Sequence, residues 1–220
     1  MLNNIIIKNS LKSYALLFML GILAGVVCRL SDFLPYESLW SFSSIATLLG
    51  FWIASVGLIT LCSASNGGAF INTFLYMFGM TLSFYGLKYI LGFFLPMFAN
   101  DGFQTGLFLM YSMLSLVCAF GSFVLYCWNN GGWFGSILYA LPAAGLLAEG
   151  VGCLIVLFNG HMLLAQTIFD FGFGLWFGIS LFRRADNKIL YLATMAVVIL
   201  VVFWQLYKPF LLLYLLADSF

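Results

Sequence analysis

Residues 129–158, NNGGWFGSILYALPAAGLLAEGVGCLIVLF, decide the class of fold. From 133 to 158 the stretch carries a single charged residue, Glu149. A helix that crosses the hydrocarbon core of a bilayer needs about 20 consecutive apolar residues. Backbone groups in hydrocarbon must also be paired within their own segment, so the stretch predicts a membrane-spanning α-helix. The Asn-Gly-Gly sequence in front of it predicts a tight turn.

Similar apolar runs lie on both sides of this stretch, separated by short polar segments such as SASNGG and RRADNK. None of them alternates in the manner of a membrane β-strand. We therefore predict an all-α, polytopic membrane helix bundle with about seven transmembrane helices. The candidate spans are roughly 13–31, 40–64, 69–95, 105–128, 133–158, 162–182 and 188–208.

The composition supports a membrane setting. Of the 220 residues, 64% are hydrophobic and 7% are charged, whereas a soluble domain carries about 25% charged residues. The formal net charge of +1 offers no strongly basic surface for nucleic acid. No polar linker divides the chain, so we expect residues 1–220 to form one integral membrane domain.

The basic residues predict the orientation. They cluster before the first span and between the sixth and seventh spans, and an even number of crossings places these two regions on the same side. The positive-inside rule makes that side the cytoplasm, so the N-terminus is expected inside and the segment 209–220 at the outer face. The first apolar run resembles a signal peptide but lacks a small-residue cleavage site, so we expect a retained helix. The basic residues concerned are Lys8, Lys12, Arg183, Arg184 and Lys188.

A second Asn-Gly-Gly sequence occurs at residues 66–68, again before a long apolar run. The pair is compatible with a repeated helical hairpin, as in some transporters. The similarity fades quickly beyond the turns, however, which favours two similar turns that use the positive φ angles open to Asn and Gly.

Ionisable residues within the spans are candidate binding residues, since a charge in hydrocarbon costs about 3 kcal/mol or more unless it is paired or hydrated. Several share a helical face with small residues, where helices approach closely. Such faces carry Gly21 and Gly25 before Arg29, and Gly145 and Gly152 around Glu149. The predicted binding residues are Arg29, Asp32, Lys88, Glu149, Gln166 and Asp170.

Ion pairs are available to these residues. Arg29 can pair with Asp32 one turn further on, and Lys88 can pair with Glu149 or Asp170 across helices. Simpler interpretations remain open. Arg29 and Asp32 suit an interfacial position, Lys88 can extend to the headgroups, and Asp170 can merely hydrogen-bond to a neighbouring side chain.

The sequence contains no Walker A nucleotide-binding motif, no Gly-x-Ser-x-Gly hydrolase motif and no His-Glu-x-x-His zinc-protease motif. It has one histidine and no Cys-x-x-Cys pair, and its five cysteines are expected to be small buried hydrophobes. No catalytic residue, metal or cofactor is therefore predicted, and an intramembrane enzyme is the least favoured class.

Two stretches, RLSDFLPYESLWSFSSIATLLGFWI from Arg29 and NTFLYMFGMTLSFYGLKYILGFF from Asn72, resemble a family of small bacterial multi-pass membrane proteins known as a domain of unknown function. The resemblance runs from Arg29 to about Lys188. It implies a bacterial cytoplasmic membrane protein of about this length. It brings no activity and no functional residues with it.

Two functions fit these features. The first is a small-solute or ion transporter, or the solute-binding membrane component of one, with an outward-facing polar core. The alternative is a non-transport subunit (regulatory, assembly or immunity protein) whose charges lock the bundle together. The expected partners are the lipid bilayer and a small solute or cation, and a partner membrane subunit or ATPase is left open.

Overall fold

The structure, a computed structural model, describes residues 6–96 and 102–207. The described part of the chain is all-α, as predicted, and holds seven helices besides single helical turns. The expectation for segment 209–220 lies outside the described residues. The helices are α1 (Leu11–Ser31), α2 (Leu49–Cys62), α3 (Asn66–Leu91), α4 (Thr105–Leu125), α5 (Gly132–Gly160), α6 (Leu164–Arg184) and α7 (Lys188–Val202).

Six of these helices are long and apolar enough to cross a membrane: α1, α3, α4, α5, α6 and α7. Helical turns extend α4 to Asn130 and α7 to Gln205, and the mean hydropathy of the six spans is 1.2 to 2.0. The chain is therefore a multi-pass helical membrane protein by length and composition of its helices.

The remaining apolar helix, α2, differs from the second predicted span at 40–64. It has 14 residues, which extend over about 21 Å, less than the ~30 Å hydrocarbon core. A separate helical turn, Ser44–Thr47, precedes it, and Leu48 between them has an extended backbone with ψ of 161°. The second span is thus interrupted, and α2 begins at a position where the prediction had a continuous helix.

Polar side chains fix the starts of three helices. The Ser10 hydroxyl accepts the N–H of Ser13 at the start of α1, and the Ser65 hydroxyl accepts the N–H of Gly68 at the start of α3. Asn187 does the same for the N–H of Leu190 at the start of α7. Each cap satisfies an amide that the helix itself leaves without an acceptor.

The chain forms two compact units. The first unit comprises Met1–Phe33 and Val56–Tyr126, and the second comprises Leu34–Ser55 and Cys127–Phe220. The boundaries fall within α2 and after α4. That residues 1–220 act as one domain stays a prediction.

In the first unit, α1 packs closely against α3, as the glycine spacing predicted. Gly21, Gly25 and Arg29 are all buried on one face of α1. A Cβ atom at Gly21 would overlap the carbonyl oxygen of Tyr76, and one at Gly25 would overlap that of Met80. The two backbones therefore approach to a distance that only glycine permits.

Buried hydroxyl groups also join helices of the first unit. The hydroxyl oxygens of Thr60 and Ser122 lie 2.7 Å apart, and Thr73 donates to Ser122 over 2.9 Å. All three residues are fully buried. Such interhelical hydrogen bonds are a common means of holding membrane helices together, because hydrocarbon offers no competing partner.

In the second unit, α5 packs against both α6 and α7. Phe177 and Leu181 of α6 and Tyr191 of α7 are fully buried. The Tyr191 hydroxyl donates to the Gly178 carbonyl over 3.0 Å and so ties α7 to α6.

The two Asn-Gly-Gly turns differ in conformation. Gly131 and Gly132 have φ of 73° and 71°, as the turn prediction requires. Gly67 and Gly68 show no positive φ, and a Cβ atom at Gly68 would displace the end of the exposed Asn9 side chain. The prediction of similar positive-φ turns is therefore wrong for residues 66–68, and the difference gives no support to a repeat.

Candidate functional site

One ionisable cluster lies in the first unit and is here called the arginine site: Arg29, Asp32 and Phe84. The Arg29 side chain forms an ion pair with Asp32, confirming the predicted pair. Its Nε atom donates to the Phe84 carbonyl over 3.2 Å. Its guanidinium carbon lies 3.7 Å from the centroid of the Phe84 ring, within the range of a cation–π interaction. With 6% of its surface exposed, Arg29 is enclosed by its neighbours.

Lys88 also belongs to the first unit, one helical turn after Phe84 on α3. Arg29 and Asp32 are among its electrostatic neighbours. The predicted pairing of Lys88 with Glu149 or Asp170 stays a prediction.

The second cluster lies in the second unit and is here called the carboxylate site: Glu149, Gln166 and Asp170. Each of the three residues is 0% exposed. Glu149, on α5, accepts a hydrogen bond of 2.8 Å at its Oε1 atom from the backbone N–H of Leu49. Leu49 is the first residue of α2, so a buried carboxyl group caps the start of the interrupted helix. A helix N-terminus carries partial positive charge, which stabilises an anion at this point.

Gln166 and Asp170 occupy adjacent turns of α6. The Gln166 side-chain amide donates to Asp170 Oδ1 over 2.8 Å. Both groups lie against Gly50, and the Asp170 carboxylate fills the space that a Cβ atom of residue 50 would need. Asp170 also packs on α5, since a Cβ atom at Gly150 would lie 3.3 Å from that of Asp170. The start of α2 and the middle of α5 thus enclose the polar face of α6.

Two oxygen atoms of the carboxylate site have no conventional donor. Asp170 Oδ2 and Gln166 Oε1 are buried and accept no N–H or O–H hydrogen bond within residues 6–96 and 102–207. The Cys153 thiol, a weak donor, faces the Asp170 carboxyl group. Buried polar atoms in proteins nearly always have a partner, so these two oxygens are available to accept hydrogen bonds or to contact a positively charged group.

The oxygen atoms of the carboxylate site limit which ligands it can bind. Carboxylate and amide oxygens are the ligands that hard cations prefer, and they also accept protons. In the described residues no three His, Cys, Asp or Glu side chains are grouped as for a metal ion.

The candidate residues fall into these two clusters by location. Glu149, Gln166 and Asp170 meet in the second unit, and Arg29 and Asp32 meet in the first. The sequence analysis missed Leu49, Gly50 and Cys153. A signal for Gly50 was present, because a glycine inside an apolar span commonly marks a close approach of another group. The backbone N–H of Leu49 left no signal, since any residue carries one.

Comparison with known proteins gave no match: no family model fits the chain, and neither a curated protein nor a solved structure is significantly similar to it. The class of the protein therefore rests on its helices, which define a multi-pass membrane protein.

Proposed function

We propose that this chain is a membrane transport protein that binds a small hard cation, either a monovalent metal ion of sodium type or a proton, at the carboxylate site. The observation that carries the proposal is the pair of buried oxygens, Asp170 Oδ2 and Gln166 Oε1, that lack conventional donors. A bound cation would be coordinated by these atoms.

Energetics favour an occupied site over an empty, charged one. A charged side chain in the middle of a membrane helix costs about 3 kcal/mol or more. Asp170 has one strong hydrogen bond, from Gln166, which offsets only part of that cost. A protein that keeps a carboxylate under these conditions gains stability from a cation or from protonation, and the exchange between these states is what a coupled transporter uses.

The interrupted helix adds a second argument. Transporters commonly place their binding sites at broken membrane helices, where freed N–H groups hold anionic groups; here the freed N–H of Leu49 holds Glu149, which leaves Asp170 and Gln166 for the cation. Here α2 begins at Leu49, whose N–H is bound by Glu149, and it ends about 20 Å away at Cys62. If Cys62 lies at one membrane face, the carboxylate site lies within the hydrocarbon thickness.

Orientation and location complete the proposal. We propose that residues 40–62, the interrupted segment that ends with α2, cross the membrane as one span, so that six crossings separate Lys8 from Arg183 and the positive-inside rule puts both on the cytoplasmic side. With α5 entering from that side at Gly132, Glu149 lies about 25 Å along the helix and nearer the outer leaflet. We therefore propose an outward-facing site in a cell membrane whose cytoplasmic side carries Lys8 and Arg183.

Flux measurements in liposomes test the proposal. The purified protein is reconstituted, and the uptake of radioactive sodium and of protons is followed in parallel. We expect one of these fluxes to exceed that of protein-free liposomes. Asp170→Asn removes the charge without changing the shape of the side chain and should abolish that flux. Glu37→Gln removes an exposed carboxylate and serves as the matched control, which should retain it.

Each outcome is decisive. Flux in the wild type and in Glu37→Gln but not in Asp170→Asn supports the proposal. Equal flux in Asp170→Asn would show that the carboxylate site does not carry the cation. Absence of both fluxes in the wild type would favour the alternative function.

That alternative is a non-transport membrane subunit, and the arginine site supports it. Arg29 is already compensated by Asp32 and Phe84 within one unit, so at least one buried charge in this chain serves packing. If the carboxylate site did the same, Asp170→Asn would change the thermal stability and no flux would exist to lose.

A further inference from the structure

A groove on the second unit is formed by α5, α6 and α7 and is separate from the carboxylate site. It has a volume of about 290 Å³. It is lined by Gly174 and Gly178 of α6, by Leu147 of α5, and by Leu192 and Met195 of α7. The lining is almost entirely apolar up to the last turn of α6, where Arg183 joins it.

The glycines give the groove its shape. A Cβ atom at Gly174 would lie 2.9 Å from the Leu147 side chain, so Gly174 forms the narrow floor. A Cβ atom at Gly178 would meet no atom within 4 Å, so the space above Gly178 is open. From Gly174 to Arg183 the groove follows α6 for nine residues, about 14 Å. An elongated apolar channel of this length fits a hydrocarbon chain.

At the end of the groove near Arg183, the positive charges are not all offset by acidic side chains of the described residues. The Lys188 ammonium group donates to the carbonyl of Ala185 over 2.6 Å and so caps the end of α6. Asp186, the nearby acid, accepts the backbone N–H of Gly132 over 2.5 Å. Arg184 interacts with Tyr139. Among the described residues Arg183 has no ion-pair partner, and its side chain is exposed at the mouth of the groove.

We propose that this groove binds an anionic phospholipid, with one acyl chain along Gly174 and Gly178 and the phosphate on Arg183. The charge of Arg183 complements a phosphodiester, which a guanidinium binds through two parallel hydrogen bonds. Arg183 belongs to a basic cluster with Arg184 and Lys188, which the positive-inside rule associates with the cytoplasmic leaflet, where basic residues attract anionic lipid. Lipid binding in this groove would hold whether or not the protein transports a cation.

Thermal unfolding of the detergent-solubilised protein tests this site. Phosphatidylglycerol should raise Tm by about 2–4 °C more than phosphatidylcholine at the same concentration. Gly178→Leu fills the open part of the groove, and Arg183→Gln removes its charge, so each should lose at least half of this difference. Glycerol phosphate, which has the anionic group without an acyl chain, should give no shift.

Matched controls exist for both variants. Gly172→Leu adds the same side chain at another open position of α6 outside the groove, and Lys12→Gln removes an exposed basic residue in the first unit. Both should retain the full difference between the two lipids. If Gly178→Leu fails to fold, native mass spectrometry of Arg183→Gln decides, with less bound phosphatidylglycerol expected than in the wild type. A full lipid difference in Gly178→Leu, or unchanged lipid binding in Arg183→Gln, would overturn the proposal.

Discussion

The arginine site and the carboxylate site both bury ionisable groups between membrane helices, but they satisfy them differently. In the arginine site, the cation of Arg29 meets the carboxylate of Asp32, a backbone carbonyl and an aromatic ring. In the carboxylate site, Asp170 has one strong donor and an oxygen that accepts no N–H or O–H hydrogen bond among the described residues. The first site is compensated within the chain, and we propose that the second binds a ligand.

This difference separates structural charge from functional charge. A compensated pair contributes to stability through its partners, and removal of one partner leaves the other buried. A carboxylate that lacks compensation costs stability and is retained for what it binds. The two sites should therefore respond in opposite ways when a charge is removed.

The largest contrast is expected from Asp170→Asn. Asparagine keeps the size of the side chain and its hydrogen bond with Gln166, while it removes the buried charge. Cation flux should fall at least about tenfold, and in sodium-free buffer the free energy of unfolding should stay unchanged or rise, because a desolvated charge is lost. Parallel flux and thermal-unfolding assays measure both quantities. A marked fall in Tm would place Asp170 with the structural charges.

Arg29→Met should show the reverse pattern. It leaves Asp32 without its cation, and the loss of one partner from a buried pair costs about 3 kcal/mol. Asp32 is partly exposed, at 24% of its side chain, so the loss should lie at or below this value. Thermal unfolding measures it. The double variant Arg29→Met with Asp32→Asn should regain part of the stability, whereas no recovery would argue against the pair as the cause.

Gly25→Leu tests whether close packing holds the arginine site in place. The new side chain would meet the backbone of Met80 and push α1 away from α3, at a cost of about 1–3 kcal/mol. Gly86→Leu is the matched control on α3, because a Cβ atom there meets no atom within 4 Å. Similar melting temperatures for the two variants would contradict a glycine-dependent contact.

The smallest effect concerns the predicted pairing of Lys88 with Glu149. Lys88→Met and Glu149→Gln, alone and together, form a double-mutant cycle in thermal stability. A coupling energy of about 1 kcal/mol is expected if the two charges meet. If the effects of the two substitutions on stability simply add, Lys88 does not interact with Glu149. Lys88 would then be assigned to the arginine site, and the two sites would share no charged residue.

The sequence predicted the long helices correctly, and it predicted which residues lie on the same face of a helix. Long apolar runs define spanning helices because hydrocarbon allows no other backbone solution. The spacing of Gly21, Gly25 and Arg29 predicted the packing face of α1, and the alternative that Asp170 hydrogen-bonds to a neighbouring side chain is met by Gln166, one turn before it. Both patterns depend only on the helical repeat, which the sequence carries locally.

The interruption before α2 was not predicted. Residues 40–64 are apolar apart from hydroxyl side chains, and their composition suits a continuous span. In the structure, Ser41 and Ser44 hydrogen-bond to nearby backbone carbonyls, and such bonds compete with helix formation. The acceptor that fixes the break, Glu149, lies 100 residues away. A contact at that separation leaves no periodic signal.

The central claim is that the carboxylate site binds a cation or proton, and the ligand dependence of Tm tests it most directly. Wild type and Asp170→Asn are unfolded in sodium chloride or choline chloride of equal ionic strength, at several pH values. A ligand at about ten times its Kd adds about 1.4 kcal/mol, or roughly 3–5 °C for a chain of this size. We predict a wild-type shift of this order with sodium or with pH, and its loss in Asp170→Asn. The same response in both proteins would contradict the claim.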